Sequence, residues 1–279
     1  MSPAARRAVG MVLLAVSLCV ACTFLGRWQW HRHIARDAEI AVIEGSYDAD
    51  PVPLDTLLAS PDARLAGHDV WRPVTVVGHY DARATALLRN RPVDGPGFHV
   101  LVPFMIDAGA TGSRQGAPQV LVVDRGWVPM GDDGDRPTAV PAPPRGKVTI
   151  VVRLRAGEPP SDRGAPRGDV QAISVNQVLT AGGIHPSEVR AFDAYGAAAS
   201  ERPAARHAIG LLPKPSVDPG SHLSYAFQWW TFAAGSLVGF SVLARRELVE
   251  QDATEPAPAR RPRRYSAEDA EDALIDSQL

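Results

Sequence analysis

The stretch AVGMVLLAVSLCVACTFLG, Ala8 to Gly26, runs for 19 residues without a charge. A second, LSYAFQWWTFAAGSLVGFSVLA from Leu223 to Ala244, runs for 22. A helix crosses roughly 30 Å of hydrocarbon with about 20 apolar residues, so both are long enough to span a bilayer. They divide the 279 residues into a short N-terminus (1–7), a first span (8–26), a central domain (27–221), a second span (222–244) and a tail (245–279). Arg6 and Arg7 before the first run and small residues after it also fit a cleaved signal peptide, and Ala21-Cys22 faintly resembles a lipoprotein processing site. Cys19 stands where such a site prefers Leu, and the run continues through Phe24 and Leu25. The segment therefore reads as an uncleaved span.

Orientation follows from basic residues near the spans. Arg6, Arg7, Arg245, Arg246, Arg260, Arg261, Arg263 and Arg264 flank one side, against Arg27, Arg32 and Arg36 on the other. The expected protein is multi-pass in the plasma (inner) membrane, with both termini cytoplasmic and the central domain extracytoplasmic. Trp28, Trp30, Tyr225, Trp229 and Trp230 then fall at the outer interface, where amphipathic rings are favoured.

With 29 Lys and Arg against 31 Asp and Glu, the net charge is −2, no field that would gather nucleic acid. The 24 glycines and 25 prolines argue for many turns and against a helical bundle. The only cysteines, Cys19 and Cys22, lie in the first apolar run, so the central domain has neither disulfide nor thiolate metal site. An apolar core and the anchors must hold it.

That domain has strand character. Trp71–Tyr80, Phe98–Ile106, Gln119–Val128 and Lys147–Leu154 are β-branched runs bounded by Gly or Pro; Ala84–Arg89 and Ala172–Val175 are weaker. Helical pieces are few: Ile34–Ile43, Leu54–Leu58 and Asn176–Thr180. Short turns without regular helical crossovers predict two transmembrane helices flanking an extracytoplasmic β-rich α+β domain, an antiparallel sheet or barrel. Ala108–Pro118 and Met130–Arg145 read as loops. The tail from Glu250 onward reads as disordered.

Catalytic signatures are missing: no G-x-S-x-G elbow, no H-E-x-x-H zinc helix, no phosphate loop. The chain is expected not to be an enzyme. Asp132, Asp133 and Asp135 resemble a calcium loop only superficially, lacking the terminal bidentate Glu and flanking helices, and read as a solvated acidic loop. Cys19 and Cys22 form C-x-x-C, but Ala15, Cys19, Cys22 and Gly26 share one small-residue helical face, which favours packing over metal or redox chemistry. Gly235 and Gly239 form G-x-x-x-G in the second run, so the spans can pair with each other or with helices of a client.

The start of the second span is the most informative segment. Asp218 reads as an N-cap with Pro219 at the first helical position, which puts His222 at the outer membrane boundary. Tyr225 and Trp229 follow at i+3 and i+7 on the same face. An imidazole backed by flat rings can ligate haem iron while the macrocycle stacks on apolar surface. Hydrogen bonding to headgroups or backbone is the plainer alternative, which composition favours. His31 and His33 lie at similar depth.

Five segments carry a family resemblance. LGRWQWHR (Leu25–Arg32), WRPVTVVGHYD (Trp71–Asp81), RNRPVDGPGFHVLVPF (Arg89–Phe104), VLVVDRGWVP (Val120–Pro129) and HLSYAFQWWTFA (His222–Ala233) occur in this order. Together they resemble the surfeit-locus family of cytochrome c oxidase assembly proteins. The loop Asp132–Arg145, the segment Ala197–Arg206 and the tail have no counterpart in that pattern.

The resemblance implies a membrane assembly factor for haem–copper cytochrome c oxidase, assisting haem a insertion or stabilising an assembly intermediate. It implies as partners the oxidase catalytic subunit and the haem a supply machinery, besides the lipid bilayer. It also implies transient haem a binding, with His222 as tentative iron ligand and Tyr225 and Trp229 beside it. A scaffold that never touches haem remains the rival, and a membrane-bound enzyme a weaker one. Arg125 and Trp127 read as structural, an Arg paired to a carboxylate and a Trp in the core; contact of Arg125 with a haem propionate is the alternative.

Overall fold

A computed structural model describes residues 3–107 and 117–254. The expected loop Ala108–Pro118 and the tail beyond Thr254 thus lie largely outside the described residues. The chain forms two compact units, one of Met1–His33 with Gly220–Leu279 and one of Ile34–Pro219.

The first unit is a helix pair. α1 (Pro3–Ser46) is continuous and contributes its residues up to His33; α4 (His222–Thr254) is the second helix. Residue numbers rise along α1 as they fall along α4: Arg7 meets Glu247 at 3.1 Å, Ser236 Oγ donates to the Ala15 carbonyl at 3.4 Å, Gly26 abuts Trp230, and Gln29 meets His222. The helices are therefore antiparallel. Their facing surfaces are lined by small residues, Ala8, Ala15, Cys22 and Gly26 on α1 and Ala226, Ala233 and Ala244 on α4, all buried. Small side chains let helix backbones approach closely; a Cβ added at Gly26 would lie 2.4 Å from Trp230 Nε1. Cys19 and Cys22 belong to this packed stripe as free thiols.

Two expectations change here. Gly235 and Gly239 are exposed, with nothing within 4 Å of an added Cβ, so the G-x-x-x-G faces away from α1. Among the described residues, only α1, within Ala5–Ser46, is long and apolar enough to cross a membrane by length and composition. α4 is diluted by Gln228, Trp229, Trp230 and Thr231, and it outlasts its uncharged run, remaining helical for ten residues past Ala244.

The second unit is a mixed sheet of eight strands: β1 (Val52–Pro53), β2 (Pro73–Tyr80), β3 (Ala86–Leu88), β4 (Gly97–Ile106), β5 (Gln119–Pro129), β6 (Val148–Ala156), β7 (Asp169–Val170) and β8 (Arg190–Arg202). They lie in the order β1-β2-β6-β8-β5-β4-β3-β7. α2 (Leu54–Leu57) and α3 (Val175–Ala181) are short. The expectation of an antiparallel sheet or barrel is corrected on both counts. β1 with β2, β3 with β7 and β5 with β8 run parallel, and β1 and β7 remain terminal strands, whereas a barrel has no edges. A further three-residue pairing of Gly78–Tyr80 with Phe104–Ile106 curls β2 towards β4.

Strand periodicity builds two cores. Phe98, Val100, Val102 and Phe104 of β4 and Leu121 and Val123 of β5 join one with Ile150, Val152 and Leu154 of β6. Val120 and Val122 of β5 and Leu101 of β4 face the other, against Val178 and Leu179 of α3. Successive side chains of a strand point to opposite faces, so strands buried on both faces read as continuous apolar runs. That is why β4 and β5 stand out in the sequence. The weak expectation at Ala172–Val175 fails: β7 ends at Val170 and Val175 opens α3. β8 was not anticipated at all, although it lies centrally between β6 and β5.

Candidate functional site

The N-terminus of α4 is set by backbone geometry. Gly220 has φ +69°, a region that favours glycine, and this turn separates Pro219 from the helix. The Ser221 carbonyl accepts the Tyr225 N–H at 3.0 Å, so Ser221 holds the cap position. The expected capping by Asp218 with Pro219 at the first helical position is thereby corrected. Asp218 instead serves the sheet unit: its carbonyl accepts from Arg36 Nε at 3.0 Å, and Arg36 Nη2 reaches the Ser216 carbonyl at 2.6 Å.

His222 opens the helix as expected, half-buried. Its Nδ1 lies 2.9 Å from Gln29 Oε1. With the carboxamide oxygen of Gln29 placed as the acceptor, Nδ1 donates, and in the neutral ring Nε2 then carries the lone pair. This is the tautomer in which an imidazole ligates a metal through Nε2 while a neighbour orients the ring. Tyr225 is exposed, and Trp229 stands edge-on to Phe232 at 6.0 Å; among the described residues neither makes a ring contact with His222. The ring contacts at this end are Trp30 with Trp230 at 6.0 Å, Trp230 with Phe227 at 5.7 Å and Trp30 with His33 at 5.9 Å. Arg27 Nε faces His31 Nε2 at 3.4 Å, and Arg32 covers Trp28. The sequence reading thus found His222 but missed Gln29. The available signal was its place in LGRWQWHR.

In the sheet unit, the charged groups are locked to one another. Arg125 is fully buried; Nε and Nη2 grip Glu201 at 2.8 and 3.1 Å, and Nη1 donates to the Pro141 carbonyl at 2.8 Å. The Tyr80 hydroxyl donates to the same Glu201 at 2.8 Å; burial first, then the Glu201 charge, push its pKa well up. Every guanidinium nitrogen of Arg125 is engaged, so the structural reading holds and the propionate alternative does not. Trp127 packs on Gly97, where a Cβ would meet its Nε1 at 2.4 Å, but it is only part-buried and joins neither core, so its expected core position is corrected.

Three further pairs were not foreseen. His99 Nδ1 meets Asp124 Oδ2 at 2.7 Å, and burial raises the Asp124 pKa against the pull of His99. Arg91 grips Glu158 bidentately; burial opposes ionisation there, but the Arg91 hydrogen bonds and the Ile173 N–H hold Glu158 below its ordinary value. Asp169, side chain fully buried, receives Arg89 at 2.9 Å and Arg136 at 3.0 Å, which pins the Met130–Arg145 loop. No group of three or more His, Cys, Asp or Glu arranged for a metal occurs among the described residues.

A helix long and apolar enough to cross a membrane, followed by a mixed-sheet domain with paired interior charges, is consistent with a membrane-anchored, sheet-rich protein. Residues 16–234 match the model of the SURF1 family. The chain is 33% identical over 247 residues to uncharacterized SURF1-like proteins of Mycobacterium bovis and Mycobacterium tuberculosis, covering 86% of this chain and 84% of each relative. It belongs to the SURF1 family.

Proposed function

We propose that this protein is an assembly factor for haem–copper cytochrome c oxidase, and that α1 and α4 cross the membrane together as a hairpin. The second crossing is supported by the pairing itself: α4 accompanies α1 from Arg7 to Gln29, the length of its uncharged run. Both termini then lie in the cytoplasm and the sheet unit outside.

The observation that carries a haem role is the His222–Gln29 contact. Gln29 orients the ring and fixes the proton on Nδ1, leaving Nε2 for an axial bond to haem a iron. Trp30 and Trp230 supply apolar surface at the same end of the helix pair; Tyr225 and Trp229 lie on the exposed side of α4. One axial ligand suits a carrier that must release its cargo to the oxidase catalytic subunit, with the haem a supply machinery upstream.

Protein purified from cells that make haem a carries a Soret band under this reading, and His222→Ala abolishes it while the circular dichroism spectrum is unchanged. A colourless wild type that cannot be reconstituted removes the haem site and leaves a scaffold. Deletion of the gene lowers haem-a oxidase activity and spares other respiratory complexes; normal oxidase content in the deletion strain overturns the assembly role.

A further inference from the structure

We infer that the end of the helix pair carrying Arg6, Arg7, Arg245 and Arg246 binds the phosphate headgroup of an anionic phospholipid. The inference rests on the reading of α1 and α4 as a membrane hairpin. The sequence holds these arginines in two pairs at opposite ends of the chain, and the antiparallel packing brings them together: Arg7 Nη1 and Glu247 Oε1, 240 positions apart, lie 3.1 Å from each other.

Three carboxylates of α4, Glu247, Glu250 and Asp252, stand at this end against four guanidinium groups, an excess of one positive charge. Glu247 is taken up by Arg7. Among the described residues, no acidic side chain forms an ion pair with Arg6, Arg245 or Arg246, and all three are exposed. The arginines at the other end differ: Arg27 faces His31 and Arg32 lies over Trp28.

The shape of the site selects the ligand. Val242, Arg245, Arg246 and Val249 recur at i, i+3, i+4 and i+7, so they share one face of α4. With Glu250 they form one open face of α4. Guanidinium groups recognise phosphate oxygens bidentately, while the two valines flank them with apolar surface. A free phosphate uses only the first feature; a lipid, with its headgroup on the arginines and a chain along the valines, uses both.

The test uses the full chain in a mild non-ionic detergent, incubated with an equimolar mixture of phosphatidylglycerol and phosphatidylcholine and examined by native mass spectrometry. Wild type is expected to retain phosphatidylglycerol preferentially, and excess inorganic phosphate is expected not to displace it. The variant Arg6→Gln/Arg245→Gln/Arg246→Gln should retain at least about tenfold less, while the corresponding Lys variant, which keeps the charge but not the bidentate geometry, falls between the two. The substituted side chains are exposed, and an unchanged helical circular dichroism signal verifies the fold. Equal retention of the two lipids, undiminished retention in the Gln variant, or displacement by inorganic phosphate overturns the inference. Labelling of the two termini from opposite faces of the membrane removes the hairpin, and the lipid site with it. Termini on the same face with no lipid preference remove the lipid site alone.

Discussion

In the sheet unit, ionisable side chains are buried and spent on one another: Arg125 on Glu201, His99 on Asp124, and Arg89 and Arg136 on Asp169. In the helix unit, the packed surface is built from Ala, Cys and Gly, and polar contacts are few and mostly at its ends. The difference follows from the surroundings each unit requires. A domain without a disulfide gains a unique interior from apolar burial with buried polar pairs, although His99 Nε2 and Trp127 Nε1 stay buried without a hydrogen-bond partner. On the proposed reading of α1 and α4 as a membrane hairpin, the pair gains nothing from apolar burial and depends on close backbone approach. The charges of these sheet-unit pairs are turned towards one another, whereas the helix unit carries His222 and exposed arginines at its two ends.

The largest effect that sharpens this contrast is expected at Arg125. Replacing it with Ala leaves Glu201, to which the Tyr80 hydroxyl still donates, without its cation, and removing one member of a buried pair costs about 3–5 kcal/mol. Denaturant unfolding of the detergent-solubilised protein, followed through the sheet's circular dichroism, checks it. A loss below about 1 kcal/mol, the usual value of a surface pair, would break the contrast.

Next come the glycines of the helix unit. Gly26→Leu drives a side chain into Trp230, and overpacking of this kind costs typically about 1–3 kcal/mol. Gly235→Ala and Gly239→Ala meet no neighbour and are expected to be neutral or slightly favourable, since Ala exceeds Gly in helix propensity by about 1 kcal/mol. Thermal midpoints of the three variants separate the two faces; equal losses at all three would show that the G-x-x-x-G is the contact surface after all.

The smallest effects are pH slopes. The Glu158 carboxyl is held below its unfolded value, so its contribution is present above the ordinary carboxylate range and is lost as pH falls through the folded pKa. Asp124 is raised in the folded state, so its contribution has the opposite sign and is lost as pH rises through that range. Glu158→Gln should flatten the acid limb of a stability–pH curve, and Asp124→Asn should remove a loss on the neutral side. Parallel curves for wild type and both variants would contradict these assignments.

The strands legible in the sequence are those whose β-branched residues serve two cores, β4 and β5 above all. β8 escaped because five of the 13 residues of Arg190–Arg202 are Ala, a poor strand former by propensity. Its neighbours demand small residues: a Cβ at Gly196 would lie 2.5 Å from Val152 Cγ2. β1 and β7 escaped because two-residue parallel pairings leave no periodic trace. At the candidate site, His222 was legible as the head of an apolar run. Gln29 was not, because its partner lies 193 positions away and no local pattern encodes that contact. The Asp218 cap was misread because Gly220 interrupts what composition alone presents as one continuous helix start.

The account stands on α1 and α4 crossing the membrane together, and sided cysteine labelling measures that directly. With Cys19 and Cys22 replaced by Ala, single cysteines are placed at Ser2, Ser277 and the exposed Asp132 of the sheet unit. In intact cells an impermeant maleimide is expected to label the Asp132→Cys protein alone, and the two terminal reporters only after the membrane is opened. Labelling of Ser277→Cys in intact cells, or protection of Asp132→Cys, would contradict the hairpin.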